Sequence, residues 1–271
     1  MNSVPSRKVF LGAFFLVFFL GVIPIDSQEW VAFEGTTAMG EKLQLTGILK
    51  APEGEGPFPA VVMLHVCAGL KDDNSAKQLN AWSERLVDWG YVTLQVDSFG
   101  PRGYGNICEN TDRVSLIERS FDAFSAKSYL TTLKYVDSKN IAAIGWSHGA
   151  WGIMALVDGI YRDENTNPFE AAIAFYPWCE SLTSFDTPLL ILIGEKDAWC
   201  PSSRCITTKM NAEADEFESE LKLIVYPNVY HCFDVEGVNK TYLGYHIEYN
   251  PEATADAILQ VKGFLAKYLK H

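Results

Sequence analysis

The sequence predicts an α/β fold: a mostly parallel central sheet with helices on both faces. Three observations predict it. Apolar, β-rich runs recur along the chain, at 43–49, 60–66, 91–96, 141–146, 171–176, 189–193 and 221–226. Helical stretches separate most of them, and such alternation builds crossover connections and a parallel sheet. From residue 60 onward the runs are mostly continuous rather than alternating, as strands covered on both faces require.

Taken in order, the first feature stands outside that alternation. Arg7 and Lys8 precede an uncharged apolar run from Val9 to Ile23, which Pro24 and Asp26 end. A basic start before such a run reads as an export signal over residues 1–27, cleaved near Ser27. Left uncleaved, residues 9–25 would anchor the chain in a membrane. No cysteine follows closely, which argues against a lipid anchor. Residues 28–271 then form one α/β domain, a length that supports one large core and is short for two. Helices are expected at 76–89, 116–136, 150–161, 203–217 and 253–269. The last carries an apolar stripe (Ala257, Ile258, Val261, Phe264, Leu265, Leu269), and Pro251-Glu252 mark its start.

Composition narrows the partners. The formal charge is −12 and no lysine/arginine cluster interrupts it, which argues against nucleic acid. Six cysteines lie in the exported part. In an oxidising compartment an even number invites pairing, and buried free thiols are the alternative. The chain has no C-x-x-C and no histidine pair at ligand spacing, so neither a metal nor an organic cofactor is expected.

Ligands of parallel sheets bind beyond the carboxyl ends of the strands, so chemistry is sought just after each run. Gly145-Trp146-Ser147-His148-Gly149 closes the run at 141–146, and a helix-like stretch follows. A serine on such a sharp strand-to-helix turn projects its hydroxyl to where a base can reach it. The base is usually a histidine oriented by an acid. Asp197 follows the run at 189–193, and His231 follows the run at 221–226, giving the order Ser147, Asp197, His231. His246 is the competing base, and Asp197 alone could cap a turn. The oxyanion of a tetrahedral intermediate needs backbone N–H donors. They are expected at His148, just after the serine, and at Cys67, in the loop after the run at 60–66.

Together these residues resemble the dienelactone hydrolase family of the α/β-hydrolase superfamily. The similarity runs from about Val31 to the last helix. It is carried by Gly56-Pro57-Phe58-Pro59-Ala60 and the run to His65, by D-S-F-G-P-R-G at 97–103, by G-W-S-H-G at 145–149, by F-Y-P at 175–177, by G-E-K-D at 194–197 and by Y-H-x-F-D at 230–234. The resemblance implies an α/β-hydrolase fold and a Ser147–Asp197–His231 triad. It also implies a carboxylic ester or lactone hydrolase acting on a small molecule. Two departures stand out. Serine occupies the nucleophile position where the founding enzymes resemble this elbow with cysteine. Val66 stands where close relatives carry glycine, and valine disfavours positive φ.

Further expectations follow from that fold. Arg102, in a Gly/Pro-rich loop beyond a strand end, either grips a substrate carboxylate or pairs with Asp97 or another loop acid. The loop placements suggest disulfides 67–108, 179–205 and 200–232. A lid is expected within 103–122. Trp146, Trp151, Trp178 and Trp199 crowd the strand ends, with core packing the first reading for each. The rivals in function are a peptidase or other acyl-transfer enzyme on the same fold, and a non-catalytic binding protein that keeps it.

Overall fold

A computed structural model describes residues 28–161, 167–215, 217 and 219–269. The export segment at 1–27 therefore lies outside the described residues. Among those described, no helix is long and apolar enough to cross a membrane.

The chain opens with β1 (Glu29–Thr36) and β2 (Lys42–Lys50), then β3 (Phe58–Leu64), α1 (Asp73–Asp88) and β4 (Val92–Asp97). Next come α2 (Leu116–Leu130), β5 (Val136–Trp146), α3 (His148–Val157), β6 (Ala171–Phe175) and β7 (Leu189–Gly194). After these stand α4 (Ser202–Ala214), β8 (Leu221–Tyr226), the hairpin β9 (Asn239–Tyr242) and β10 (Tyr245–Glu248), and finally α5 (Pro251–Tyr268).

Among the described residues, eight strands form the main sheet, in the order β1-β2-β4-β3-β5-β6-β7-β8. β1 and β2 pair antiparallel, as do β2 and β4, and every other neighbouring pair is parallel. The continuous apolar runs explain the burial: β4, β6 and β7 are buried at every residue. Strands covered on both faces cannot alternate polar and apolar residues. α2 packs against β1, β3 and α3, α1 lies on β4, α5 on β6 and β7, and α4 on β7 and β8.

Local chemistry sets the helix starts. The Asp72 side chain accepts from the N–H groups of Asn74 and Ser75 at the head of α1. Ser115 accepts from the Glu118 N–H at the head of α2. Asn250 caps α5, and Pro251 opens it without an N–H to strand.

The structure differs from the sequence reading in three places. The helix expected to reach residue 136 ends at Leu130, and β5 begins at Val136, because β5 pairs with β3 along most of its length. β1 was not anticipated: it is an edge strand buried only at Phe33 and Gly35, too short an apolar face to mark it. The hairpin β9–β10 was not anticipated either: its strands are four residues each and mostly solvent-facing.

Candidate active site

Ser147 sits between β5 and α3 with φ 50° and ψ −117°. Left-handed φ is unusual for a residue with a side chain and marks a sharp turn held by its surroundings. The flanking glycines are sterically required. A Cβ on Gly149 would meet the Leu64 carbonyl oxygen at 2.2 Å, and one on Gly145 would meet the Gly149 backbone at 2.6 Å.

The turn brings three distant side chains into one line. The Ser147 hydroxyl lies 3.0 Å from His231 Nε2, and His231 Nδ1 lies 2.6 Å from Asp197 Oδ2. Asp197 Oδ1 accepts the N–H groups of Trp199 at 3.0 Å and Cys200 at 2.8 Å. A carboxylate that only accepts fixes the imidazole tautomer: Nδ1 carries the proton, and Nε2 is left to accept from the serine. All three side chains are buried (Ser147 5%, Asp197 3%, His231 1%).

The hydroxyl opens onto a cavity of about 120 Å³. Its walls include Val66 and Cys67 from the loop after β3, Trp199 from the Asp197 loop, Cys232 beside His231, and Tyr242 of the hairpin. The segment at 103–122 contributes Asn106 and Cys108, so the expected lid region covers part of the site. The hairpin adds Lys240, Tyr242 and Ile247, and the head of α1 adds Asn74, Ser75 and Gln78. Trp199 is a pocket wall rather than core, with its ring 5.2 Å from the His231 ring and stacked on Tyr245 at 5.0 Å. Trp146, by contrast, is fully buried in the core.

Cys67 borders this cavity beside Ser147, and His148 is the first residue of α3, where helix N–H groups lack intrahelical partners. Val66 keeps a negative φ, so the absence of glycine there introduces no backbone strain. Behind the site, Arg119 links the two segments. Its guanidinium donates to the His65 carbonyl at 2.8 Å and to His148 Nδ1 at 3.0 Å. Burial, reinforced by Arg119, holds the His148 pKa down at about 3. Burial likewise holds His65 well below its ordinary value. Both rings therefore have low proton affinity, and their nitrogens are bonded to Val66, Ser98 and Arg119 rather than to Ser147. His246 lies on β10, bonded to Glu248 at 2.9 Å and packed on Tyr230, away from the serine.

Two expectations are corrected. Arg102 does not face the cavity. It donates to both carboxylate oxygens of Asp122 at 2.8 and 2.9 Å, to Glu118 at 3.0 Å and to the Ser98 carbonyl at 2.8 Å. Those acids occupy its donors, so it anchors its own loop to α2 and not a substrate. Asp97, the acid first considered as its partner, instead accepts the N–H groups of Phe99 and Gly100. Among the disulfides, 67–108 and 179–205 are formed, but Cys200 and Cys232 are free. Cys200 is buried in the core, whereas Cys232 takes a φ of 59° and lines the cavity, so the two sulfurs are not joined. Burial pushes both thiols up, which keeps them protonated.

Two features escaped the sequence reading. One is Arg119. The other is Asp234, a buried carboxylate three residues beyond His231; only the D of Y-H-x-F-D hinted at it.

The parallel sheet, the serine turn at a strand end and the buried hydrogen-bonded line define the class of the α/β-hydrolases. Within that class, the sequence model of the dienelactone hydrolase family matches residues 45–269. The chain belongs to this family, and with it to the hydrolases of carboxylic esters and lactones. It is 21% identical over 258 residues to a Synechocystis sp. protein named "Putative carboxymethylenebutenolidase", covering 86% of this chain and 96% of that one. The fold matches the dienelactone hydrolase-like promiscuous phosphotriesterase P91 from metagenomic libraries (TM-score 0.66, 15% identity, 89% of this chain and 99% of that one). It also matches Thermogutta terrifontis esterase 2 phosphorylated by paraoxon (TM-score 0.62, 17% identity, 92% of this chain and 97% of that one).

Proposed function

We propose that the protein cleaves a small ester or lactone through an acyl-enzyme, with Ser147 as nucleophile, His231 as base and Asp197 as the acid that orients it. The single observation that carries this reading is the buried line Ser147 Oγ to His231 Nε2 to Asp197, at 3.0 and 2.6 Å. Ser147 Oγ attacks the carbonyl carbon while Nε2 takes its proton. The oxyanion accepts from the N–H groups of Cys67 and His148. Collapse breaks the ester bond, and the imidazolium gives its proton to the leaving alcohol, which stays tethered when the substrate is a lactone. A water then loses a proton to Nε2 and attacks the acyl carbon. The second collapse frees the acid and returns the proton to Ser147. Asp197 holds the ring in place and stabilises the imidazolium.

The size of the cavity and its wall of Trp199, Tyr242, Val238 and Ile247 favour a compact, largely apolar acyl or alkoxy group. The two disulfides support an oxidising compartment, in agreement with residues 1–27 as an export signal. The test is a panel of acetyl, butyryl and octanoyl p-nitrophenyl esters, small lactones and aminoacyl amides, run on the parent and on Ser147→Ala. Turnover of short esters or lactones that Ser147→Ala abolishes is expected. Amides preferred over esters, or no turnover of any member, would reject the assignment.

A further inference from the structure

Four donors from three parts of the fold converge on a carboxylate that the proposed chemistry leaves unused. Asp234 lies three residues beyond His231 and is buried (8%). Its Oδ1 accepts from Gln78 Nε2 at 2.8 Å and from the Tyr176 hydroxyl at 2.7 Å. Its Oδ2 accepts from the indole N–H groups of Trp82 at 2.8 Å and Trp146 at 2.9 Å. Gln78 and Trp82 stand on α1, Trp146 is the last residue of β5, and Tyr176 follows β6.

The sense of each bond is fixed. An indole N–H only donates. Gln78 Nε2 also donates to the Tyr176 oxygen at 2.6 Å, which directs the tyrosine proton to Asp234. Every bond therefore needs an accepting carboxylate, and an asparagine at 234 must turn at least one donor around. All four partners are neutral; burial raises the Asp234 carboxyl above its ordinary range, and the bonds from Tyr176, Trp82 and Gln78 draw it back down.

The cage coincides with the strained backbone of the site. Positive φ occurs at Ser147 (50°), Tyr176 (41°) and Cys232 (59°). Ser147 follows Trp146, Tyr176 is a cage member, and Cys232 lies between His231 and Asp234. Strained backbone persists only where its surroundings over-determine it. The Tyr176 ring packs against the His231 ring at 4.5 Å between centroids. One carboxylate thus grips the strand that delivers the nucleophile, the ring that supports the base and the loop that carries it.

We propose that Asp234 is a positioning residue for ester cleavage: it locks the His231 loop onto the end of β5 and onto Tyr176, keeping Nε2 within reach of Ser147 Oγ. The proposal rests on the Ser147–His231–Asp197 reading and deepens it. Asp234 acts through its cage partners, so its loss degrades the alignment of base and nucleophile more than the binding of substrate.

The experiment compares kcat, KM and the rate of Ser147 phosphonylation in Asp234→Asn, Tyr176→Phe and Asp158→Asn, each checked for folding by circular dichroism. Asp158 is the control: a buried carboxylate that binds Thr183 and Ser184 away from the serine. Asp234→Asn is expected to lower kcat and the phosphonylation rate about 30- to 100-fold, with KM within about threefold. Tyr176→Phe, which removes one hydroxyl, is expected to cost about three- to tenfold in kcat, and it decides alone if Asp234→Asn fails to fold. Asp158→Asn is expected to lose thermal stability while kcat stays within about twofold. Folded Asp234→Asn and Tyr176→Phe proteins with parental kcat would overturn the proposal, as would an equal loss of kcat in Asp158→Asn. Ser147→Ala in the same assays separates the two layers. If it stays active, the triad reading itself has failed; if it is inert beside an unperturbed Asp234→Asn, only the positioning role has.

Discussion

At Asp197 a single atom decides the state of the His231 ring. Oδ2 takes the proton-bearing Nδ1 of His231 at 2.6 Å, so Nε2 faces Ser147 without a proton. Asp197→Asn offers an N–H2 group in its place and favours the wrong tautomer. The expected loss is about 10³–10⁴-fold in kcat with little change in KM, measured on a short p-nitrophenyl ester. A change of under tenfold would remove Asp197 from the orienting role. The meeting of Ser147, Asp197 and His231 was legible because each stands just after an apolar run, and the parallel sheet brings such ends together. Arg102 misled for the opposite reason. Its loop is at the right edge, but only the fold reveals that Asp122 and Glu118, from α2, already hold its guanidinium.

The elements around the site are loops and a hairpin tied down one contact at a time. Trp199 stands between the His231 ring and Tyr245 of β10. Trp199→Ala removes that wall, and KM for short esters is expected to rise by about tenfold with kcat less affected. Steady-state kinetics over acyl lengths checks this, and an unchanged KM would show that the hairpin does not shape the pocket. Covalent ties matter as well. Cys67–Cys108 closes a loop with a sequence separation of 41, and Cys179–Cys205 one of 26. Chain entropy assigns each at most about 4 kcal/mol. Calorimetry of Cys67→Ser/Cys108→Ser is expected to show a lower Tm, and an unchanged Tm would mean that the loop is held by its packing alone. The hairpin was illegible because short, solvent-facing strands carry no periodic signal, and their role depends on what they cover.

For the whole molecule, two buried neutral histidines couple folding to pH. His148 is held at about 3 in the fold, against an unfolded value of about 6.5, and His65 is also depressed. The unfolded chain therefore binds protons that the folded one refuses. This contribution is fully present above about pH 6.5 and is lost as pH falls toward the folded values. His148→Gln, whose amide oxygen can accept from Arg119, is expected to flatten the acid side of the stability curve by up to about 1.4 kcal/mol per pH unit. Urea unfolding at pH 4.5, 5.5 and 6.5 measures it, and an identical slope in parent and variant would contradict the burial argument. At this scale the sheet was legible from its continuous apolar runs. The Asp234 cage was not, since its partners lie 58 to 156 residues away and no local pattern joins them.

The account stands on the reactivity of one hydroxyl. The direct measurement is intact-mass and peptide-mapping analysis of the protein after reaction with a fluorophosphonate. A single adduct on Ser147, absent in Ser147→Ala and strongly slowed in His231→Ala, is the expected result. An unmodified Ser147, or an adduct carried by another residue in both the parent and Ser147→Ala, would contradict it.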